Sequence, residues 1–412
     1  MRGIIMTATF RRLSARPSCV RALCVLLVVA SAVRAGAQPA APGRDAASPA
    51  RVTVSGELVA IYGPEDPGFF NYATYAYEPL RNVRATLDAS ARPFTGVEVL
   101  AQVRTDGVTQ ARMSALYLRV HPWKARRVDL QVGRVPTAFG AFGRNGYGGD
   151  MPLVGRPLAY SYLLSLRRDA LPAAPADLLR MRGRGWLSNF PLGNAAADRG
   201  LPMINADTWD AGAQLHMGSD RVDWTGAVTV GSLGSPRVGD DNDRPGLSSR
   251  LVVRARPGLA VGASGARGAY LSRALDGVAP GAGTATQQAG AVDVEWTGGR
   301  WVTRGEVVVS RWGVPSLAVE HVSALAAWGE SRVRILPGLD AGLRLEHLTF
   351  SAIDSSNGRL PWEAPVTRIE GGVAYVPVRH VRVTLGVQHN RRPDGGRVRV
   401  DTLVAAQAGV WF

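Results

Sequence analysis

The sequence predicts an all-β fold, a transmembrane antiparallel β-barrel of about 16 strands. Three observations carry this reading. From residue 51 the chain falls into segments of about ten residues in which apolar and polar side chains alternate with a period of two, the length that crosses a bilayer as a tilted strand. The connections alternate between tight Gly/Pro turns and long loops. No stretch after residue 37 approaches the roughly 18 consecutive apolar residues of a spanning helix, so strands are the elements available to cross a membrane.

Residues 1–37 read as a secretory signal peptide. Arginines 2, 11, 12, 16 and 21 precede the apolar run ALCVLLVVA (22–30), and Ala35-Gly36-Ala37 offers a small-x-small cleavage site before Gln38. That run, about nine residues, is too short for a membrane anchor. Cys19 and Cys24 leave with it, so the mature chain has neither a disulfide framework nor thiolate metal sites. The remainder carries 42 basic and 33 acidic residues, a net +9, and Lys124 is the single lysine. No nucleic-acid partner is expected. Residues 38–50 (QPAAPGRDAASPA) read as a disordered periplasmic leader, too short for the plug of an energy-coupled transporter. Residues 51–412 form one barrel, since no linker and no 20- to 50-residue repeat divides them.

The candidate strands run in order near 51–61, 81–92, 97–105, 111–120, 127–134, 206–217, 221–231, 246–256, 259–269, 287–296, 301–311, 321–334, 340–349, 365–376, 379–390 and 398–412. The second is the clearest: Val83, Ala85, Leu87, Ala89 and Ala91 oppose Arg84, Thr86, Asp88, Ser90 and Arg92. In the sixth, Ala211, Ala213, Leu215 and Met217 oppose Asp210, Gly212, Gln214 and His216. The fourth and twelfth are weakly patterned, because Leu116, Leu118, Leu325 and Ala327 fall on the polar parity, which leaves 14 or 18 strands open. One set of connections is short, for example PFTG (93–96), GSDR (218–221), TGGR (297–300) and PVRH (377–380); the other includes 62–80, 135–205, 232–245, 270–286 and 350–364. A soluble sandwich or propeller would alternate too, but without this sidedness.

The chain ends TLVAAQAGVWF, with Val404, Ala406, Ala408 and Val410 on one parity and Phe412 last. An apolar strand there needs a partner, and a closed barrel supplies one by pairing last strand with first. The signal peptide, the terminal aromatic strand, about sixteen strands and a longest third loop together resemble the porin-like outer-membrane barrels of Gram-negative bacteria, at the level of architecture across 51–412. The resemblance implies an outer-membrane location among lipids and lipopolysaccharide. It implies that Val404, Ala406, Ala408, Val410 and Phe412 are an assembly signal for the barrel-assembly machinery, that the third loop constricts the lumen, and that the protein is a homotrimer. The outward faces of the terminal strands, Val52, Val54, Gly56, Leu58 and Ala60 with Val404 to Val410, suit such association. Two departures matter. GRNGYGGDMPLVG (143–155) has Asp150 as its one acid where general porins have an acidic tip, and Lys124 alone cannot make the lysine cluster of phosphate-selective porins.

The function expected is passive diffusion of small hydrophilic solutes, with anions preferred. Loop 135–205 holds eight arginines, 144, 156, 167, 168, 180, 182, 184 and 199, against Asp150, Asp169, Asp177 and Asp198. Arg144, Arg156, Arg167, Arg168, Arg180, Arg182 and Arg184 are the candidate constriction residues. PADLLRMRGRGW (175–186) predicts a short helix behind Pro175 that ends at Gly183 and gathers Arg180, Arg182 and Arg184. Three strands carry Arg-x-Glu on the polar parity: Arg304 with Glu306, Arg344 with Glu346, and Arg368 with Glu370. Such charges belong in the lumen, paired across strands or touching solute.

Catalytic readings find little support, so no enzyme, metal or cofactor is expected. H-E-x-x-H, G-x-S-x-G and a P-loop lysine are absent, and histidines 121, 216, 321, 347, 380 and 389 scatter. His347 near Ser351 is the one hydrolase-like pair, read as a rim histidine. GDDNDRPG (239–246) has oxygen ligands for calcium but not the spacing of a calcium loop. FFNYATYAY (69–77) suits the lipid interface or the cap of a neighbouring subunit. The contrasting reading is a non-conducting barrel, an enzyme or an adhesion or scaffold protein acting through its loops.

Overall fold

The computed structural model describes residues 51–72, 79–106, 111–121, 127–142, 152–206, 208–318, 321–356, 358–394 and 397–412. The signal peptide, the leader, Lys124, Arg144, Asp150 and residues 73–77 of the aromatic loop lie outside them.

Sixteen antiparallel strands close into one barrel, in chain order around the ring. They are β1 (Arg51–Tyr62), β2 (Val83–Phe94), β3 (Val97–Asp106), β4 (Ala111–Val120), β5 (Arg127–Val135), β6 (Asp210–Gly218), β7 (Val222–Thr229) and β8 (Gly246–Arg256), then β9 (Leu259–Ala269), β10 (Thr286–Gly298), β11 (Trp301–Trp312), β12 (Val322–Leu336), β13 (Leu339–Phe350), β14 (Val366–Val378), β15 (Val381–Asp394) and β16 (Arg397–Trp411). Closure is made by β1 on β16, with Leu58 opposite Val410 and Ala60 opposite Ala408. The pairing runs over Glu57–Tyr62 and Ala406–Trp411 and gives these backbone groups the partners that a bilayer demands. Alternation sets the faces. Leu87, Val132, Val292 and Leu345 point outward and exposed, while Arg84, Gln131, Asp293 and Arg344 are buried on the lumen side.

The two weakly patterned strands have different causes. In β4 the register against β3 shifts at Ser114, between Gln102 opposite Ala115 and Val103 opposite Met113. This one-residue bulge exchanges the faces, so Met113, Leu116 and Leu118 all face outward while Ala115 and Tyr117 turn inward and are buried. In β12 the alternation is unbroken, and Leu325 faces outward. Its lumen parity is apolar at Ala324, Ala326 and Trp328 because these side chains pack on a core inside the barrel.

That core belongs to the loops. The connection from Val135 to Asp210 folds into the barrel with a short helix Leu158–Ser161, a helix Pro175–Met181 and a two-stranded piece, Ala170–Leu171 with Leu192–Gly193. Phe142, Tyr160, Leu164 and Met181 from this loop pack with Tyr270, Trp312, Trp328 and Trp362. Pro175 opens the second helix, where its missing N–H costs nothing, and the Asp177 carboxylate accepts from the amides of Ala173 and Ala174 at 2.9 and 3.1 Å. Gly183 at φ +67° turns the chain away two residues beyond Met181, a left-handed conformation that glycine adopts without a Cβ penalty.

Candidate functional site

The third loop is fastened to one side of the lumen by charged side chains reaching its backbone. Glu306 on β11 accepts from the amide of Ala141 at 2.9 Å, the hydroxyl of Tyr160 at 2.7 Å and the Trp328 indole at 3.0 Å. Glu346 on β13 accepts from the Leu158 amide at 2.5 Å, and Glu370 on β14 from the Gly155 amide at 2.7 Å. The arginines satisfy the loop's carbonyls. Arg344 donates to Gly155 O at 3.0 Å, Arg368 to Arg156 O at 3.2 Å and to Phe70 O of the first loop at 2.9 Å, and Arg392 to Gly68 O at 2.9 Å. Gly372 makes room for this contact, because a Cβ there would stand 2.3 Å from Pro152 O.

The wall charges also neutralise one another. Arg344 has no exposed side-chain surface and lies 3.1 Å from Glu330, 3.5 Å from Glu370 and 3.7 Å from Glu346. Arg304 reaches Glu330 at 3.2 Å, and Arg368 reaches Glu346 at 3.9 Å. Buried ions survive when paired and hydrogen-bonded; here the loop backbone supplies part of the shell, while Arg344 Nη2, Glu330 Oε1 and Glu346 Oε1 are held by charge alone among the described residues. Arg304, Arg344, Glu346, Arg368 and Glu370 therefore face the lumen as one network joined through Glu330, with Glu306 on the same face held by Ala141, Tyr160 and Trp328, and five of these six sequence-predicted residues touch the loop or the side chains packed on it. Glu330 and Arg392 were legible on the same parities but carry no Arg-x-Glu spacing.

A second fastening has no sequence signature. Glu363, in the loop before β14, is fully buried and accepts from the amides of Ser165 and Ala364, each at 2.8 Å, and from Gly183. Burial raises its carboxyl above the usual carboxylate range, against the pull of those amides. Burial likewise raises the phenols of Tyr160 and Tyr162.

The loop arginines do not act as one group. Arg167 is buried, paired with Asp169 at 2.9 Å and bonded to the carbonyls of Ser188 and Ala196, so it braces the loop and lines no aqueous constriction. Arg180 is exposed and donates to Asn189 Oδ1 at 3.0 Å. Arg182 and Arg184 flank Gly183, whose Cβ position lies 3.1 Å from the Arg392 guanidinium. Gly183 also meets Glu363, so these three stand at the long-loop mouth beside β14 and β15. Arg168 is exposed and Arg156 half-buried.

The lumen face of β2–β5 carries Arg84, Arg104 and Arg112, with Arg104 directly opposite Arg112, and on the same face Asp88 of β2 and Glu57 of β1, whose carboxylate interacts with Arg84 and Arg104. Nearer the short-turn end, Arg119 lies 3.4 Å from Asp129 and 3.8 Å from Glu98. A cavity of about 380 Å³ lies there, lined by Arg119, Asp129, Gln131, Gln214 and His216 from the wall and by Phe139, Ile204 and Trp209 of the loop. A second, about 620 Å³, opens at the short-turn end beside Arg254 and Glu295.

Two other candidates are engaged with partners of their own. His347 pairs with Thr367 Oγ1 at 3.0 Å on the outer face, and Ser351 accepts from the Ser323 amide, so they form no nucleophile and base pair. The acids of 239–246 are matched by arginines: Asp241 by Arg237, Asp240 and Asp243 by Arg273 at 3.8 and 3.4 Å. Among the described residues no cluster of metal-ligating side chains occurs.

A closed 16-stranded antiparallel barrel with a long third loop inside it is the fold of the outer-membrane porins. Among solved structures, the chain is similar to the outer membrane channel DcaP of Acinetobacter baumannii, with a TM-score of 0.53 and 12% identity over 90% of this chain and 99% of that one. It is similar to OmpF of Salmonella typhi, solved with daunomycin, at 0.54 and 10% identity over 88% and 97%. It is also similar to an anion-selective porin from Comamonas acidovorans, at 0.52 and 7% identity over 88% and 99%. No protein-family model and no curated protein sequence matches the chain.

Proposed function

We propose that this protein is an outer-membrane porin that passes small hydrophilic solutes by passive diffusion and prefers anions. The observation that carries the reading is the charge-lined cavity between β4–β6 and the third loop, with a wider one at the short-turn mouth. The loop is bolted to the far wall, so water and solute have their room on the near one. Anion preference is supported by Arg84, Arg104 and Arg112 on the near wall and by Arg180, Arg182 and Arg184 at the mouth, since cations in low-dielectric walls concentrate anions. The test is single-channel recording after reconstitution, then the zero-current potential under a KCl gradient. Wild type is expected to be anion-selective, with preference reduced in an Arg180/Arg182/Arg184→Ala triple variant and more so in Arg112→Ala/Arg119→Ala. A cation-selective wild type defeats the anion reading.

A second reading has its own observation, the apolar core that the loops build inside the long-loop half of the barrel. It makes the protein a non-conducting barrel whose loops are its working part. A well-folded, correctly reconstituted barrel that never conducts supports this reading and removes the porin one. The outward side chains of Val52, Val54 and Val404 are more than half exposed, which supports association into a homotrimer. Crosslinking in native membranes is expected to give oligomers, and monomer alone would refute it.

A further inference from the structure

Among the described residues, part of the outer face at the long-loop end carries basic side chains. On β9 the outward stripe Val261, Ala263, Gly265 ends at Arg267; on β11 the stripe Val307, Val309 ends at Arg311. On β13 and β15 the corresponding outward residues are His347 and Arg391. Each of these four is exposed and lies within three residues of the long-loop end of its strand. The pairing register groups them. Arg267 lies opposite Gln288 of β10, which lies opposite Arg311. His347 lies opposite Thr367 of β14, which lies opposite Arg391. In the first row two guanidinium groups flank one polar side chain, and in the second a histidine and a guanidinium do, two strand spacings or roughly 10 Å apart.

Among the described residues, Arg267, Arg311 and Arg391 have no acid or hydrogen-bond partner. The acids of these strands, Asp293, Glu295, Glu306, Asp340, Glu346, Glu370 and Asp394, share the lumen parity. At the other end of the same strands the outward residues are Leu259, Trp296, Trp301 and Tyr375, the apolar and aromatic belt of a lipid interface. An unpaired guanidinium at the edge of an apolar band faces head groups, and a planar fork of donors suits phosphate oxygens.

We propose that Arg267–Gln288–Arg311 and His347–Thr367–Arg391 are two docking sites for phosphate-bearing lipid head groups in the leaflet at the long-loop end. The proposal does not depend on conduction. A protein that is a porin without these sites, or has these sites without conducting, is distinguishable because the test reads lipid and not current.

The full-length protein is placed in phosphatidylcholine vesicles with and without diphosphoryl lipid A. Bound lipid is counted by native mass spectrometry, and the urea midpoint is followed by tryptophan fluorescence. Wild type is expected to retain phosphorylated lipid and to gain in midpoint when it is present. Arg267→Gln/Arg311→Gln is expected to retain at least about five-fold less, and Arg391→Gln less by a smaller factor, with midpoints in plain phosphatidylcholine unchanged. Arg267→Lys/Arg311→Lys keeps charge and should keep most of the lipid, so it tests the site even if the glutamine variant fails to fold. Added inorganic phosphate should not displace the lipid; displacement would assign the site to free phosphate and overturn the proposal. Equal lipid retention in wild type and the glutamine variant would also overturn it, as would an oligomer that the variant dissolves with no change in lipid.

Discussion

Changing Arg344 to alanine is expected to cost about 3–5 kcal/mol of stability, the range seen when one member of a buried ion network is removed, and to release the third loop from the wall. Arg344 faces three carboxylates at once, Glu330, Glu346 and Glu370, and it also holds Gly155 O. Without it three buried acids confront one another with only Arg304 and Arg368 nearby. They take up protons or draw water in, and either change weakens their grip on the amides of Leu158 and Gly155. Trypsin gives a direct readout, since the loop contains Arg180, Arg182 and Arg184. The variant should be cut within the loop while its barrel keeps heat-modifiable mobility. Adding Glu330→Gln and Glu370→Gln should recover part of the loss, because neutral side chains need no counter-charge. Unchanged protease resistance in the single variant would show that the loop's apolar core holds it without the network.

How much of this was legible in the sequence follows from what each feature depends on. Strand alternation depends on the two faces of a pleated strand, which single residues report, so the ring of sixteen strands and the lumen position of Arg304 to Glu370 could be read directly. The bulge at Ser114 could not, because a face exchange looks like a broken pattern until the register against β3 is known. The apolar lumen face of β12 misled for another reason. Sequence periodicity reports burial, and Ala324, Ala326 and Trp328 are buried by the loop and not by lipid. The helix behind Pro175 and its stop at Gly183 rest on local capping chemistry and were legible. The role of the loop arginines was not, since charge composition says nothing of partners. Arg167 is spent on Asp169 and two carbonyls, and Arg180 on Asn189. Glu363 had no signal at all: its three donors come from Ser165, Gly183 and Ala364, two of them about 180 to 200 residues away in sequence.

Glu363→Ala is accordingly expected to free the part of the loop around Gly183 more than any single loop substitution. It leaves three backbone amides without their acceptor. A buried donor stranded in this way costs about 1–3 kcal/mol, with the total reduced wherever water enters. The pH dependence fixes the sign of the electrostatic part. Burial raises the Glu363 carboxyl above the usual range, so the folded protein holds this proton to a higher pH than the unfolded chain does. The contribution of Glu363 to stability is then fully present below the ordinary carboxylate value and declines as pH rises through the raised one. The urea midpoint of wild type minus that of Glu363→Ala, followed from acid to neutral pH, should narrow across this window while remaining positive, because the hydrogen bonds outlast the titration. Hydrogen exchange at Ser165 and Gly183 should quicken in the variant at every pH. A difference that instead widens as pH rises would mean that the amides outweigh burial and hold the carboxyl below its usual range, and the clamp would then be strongest where the proton is gone.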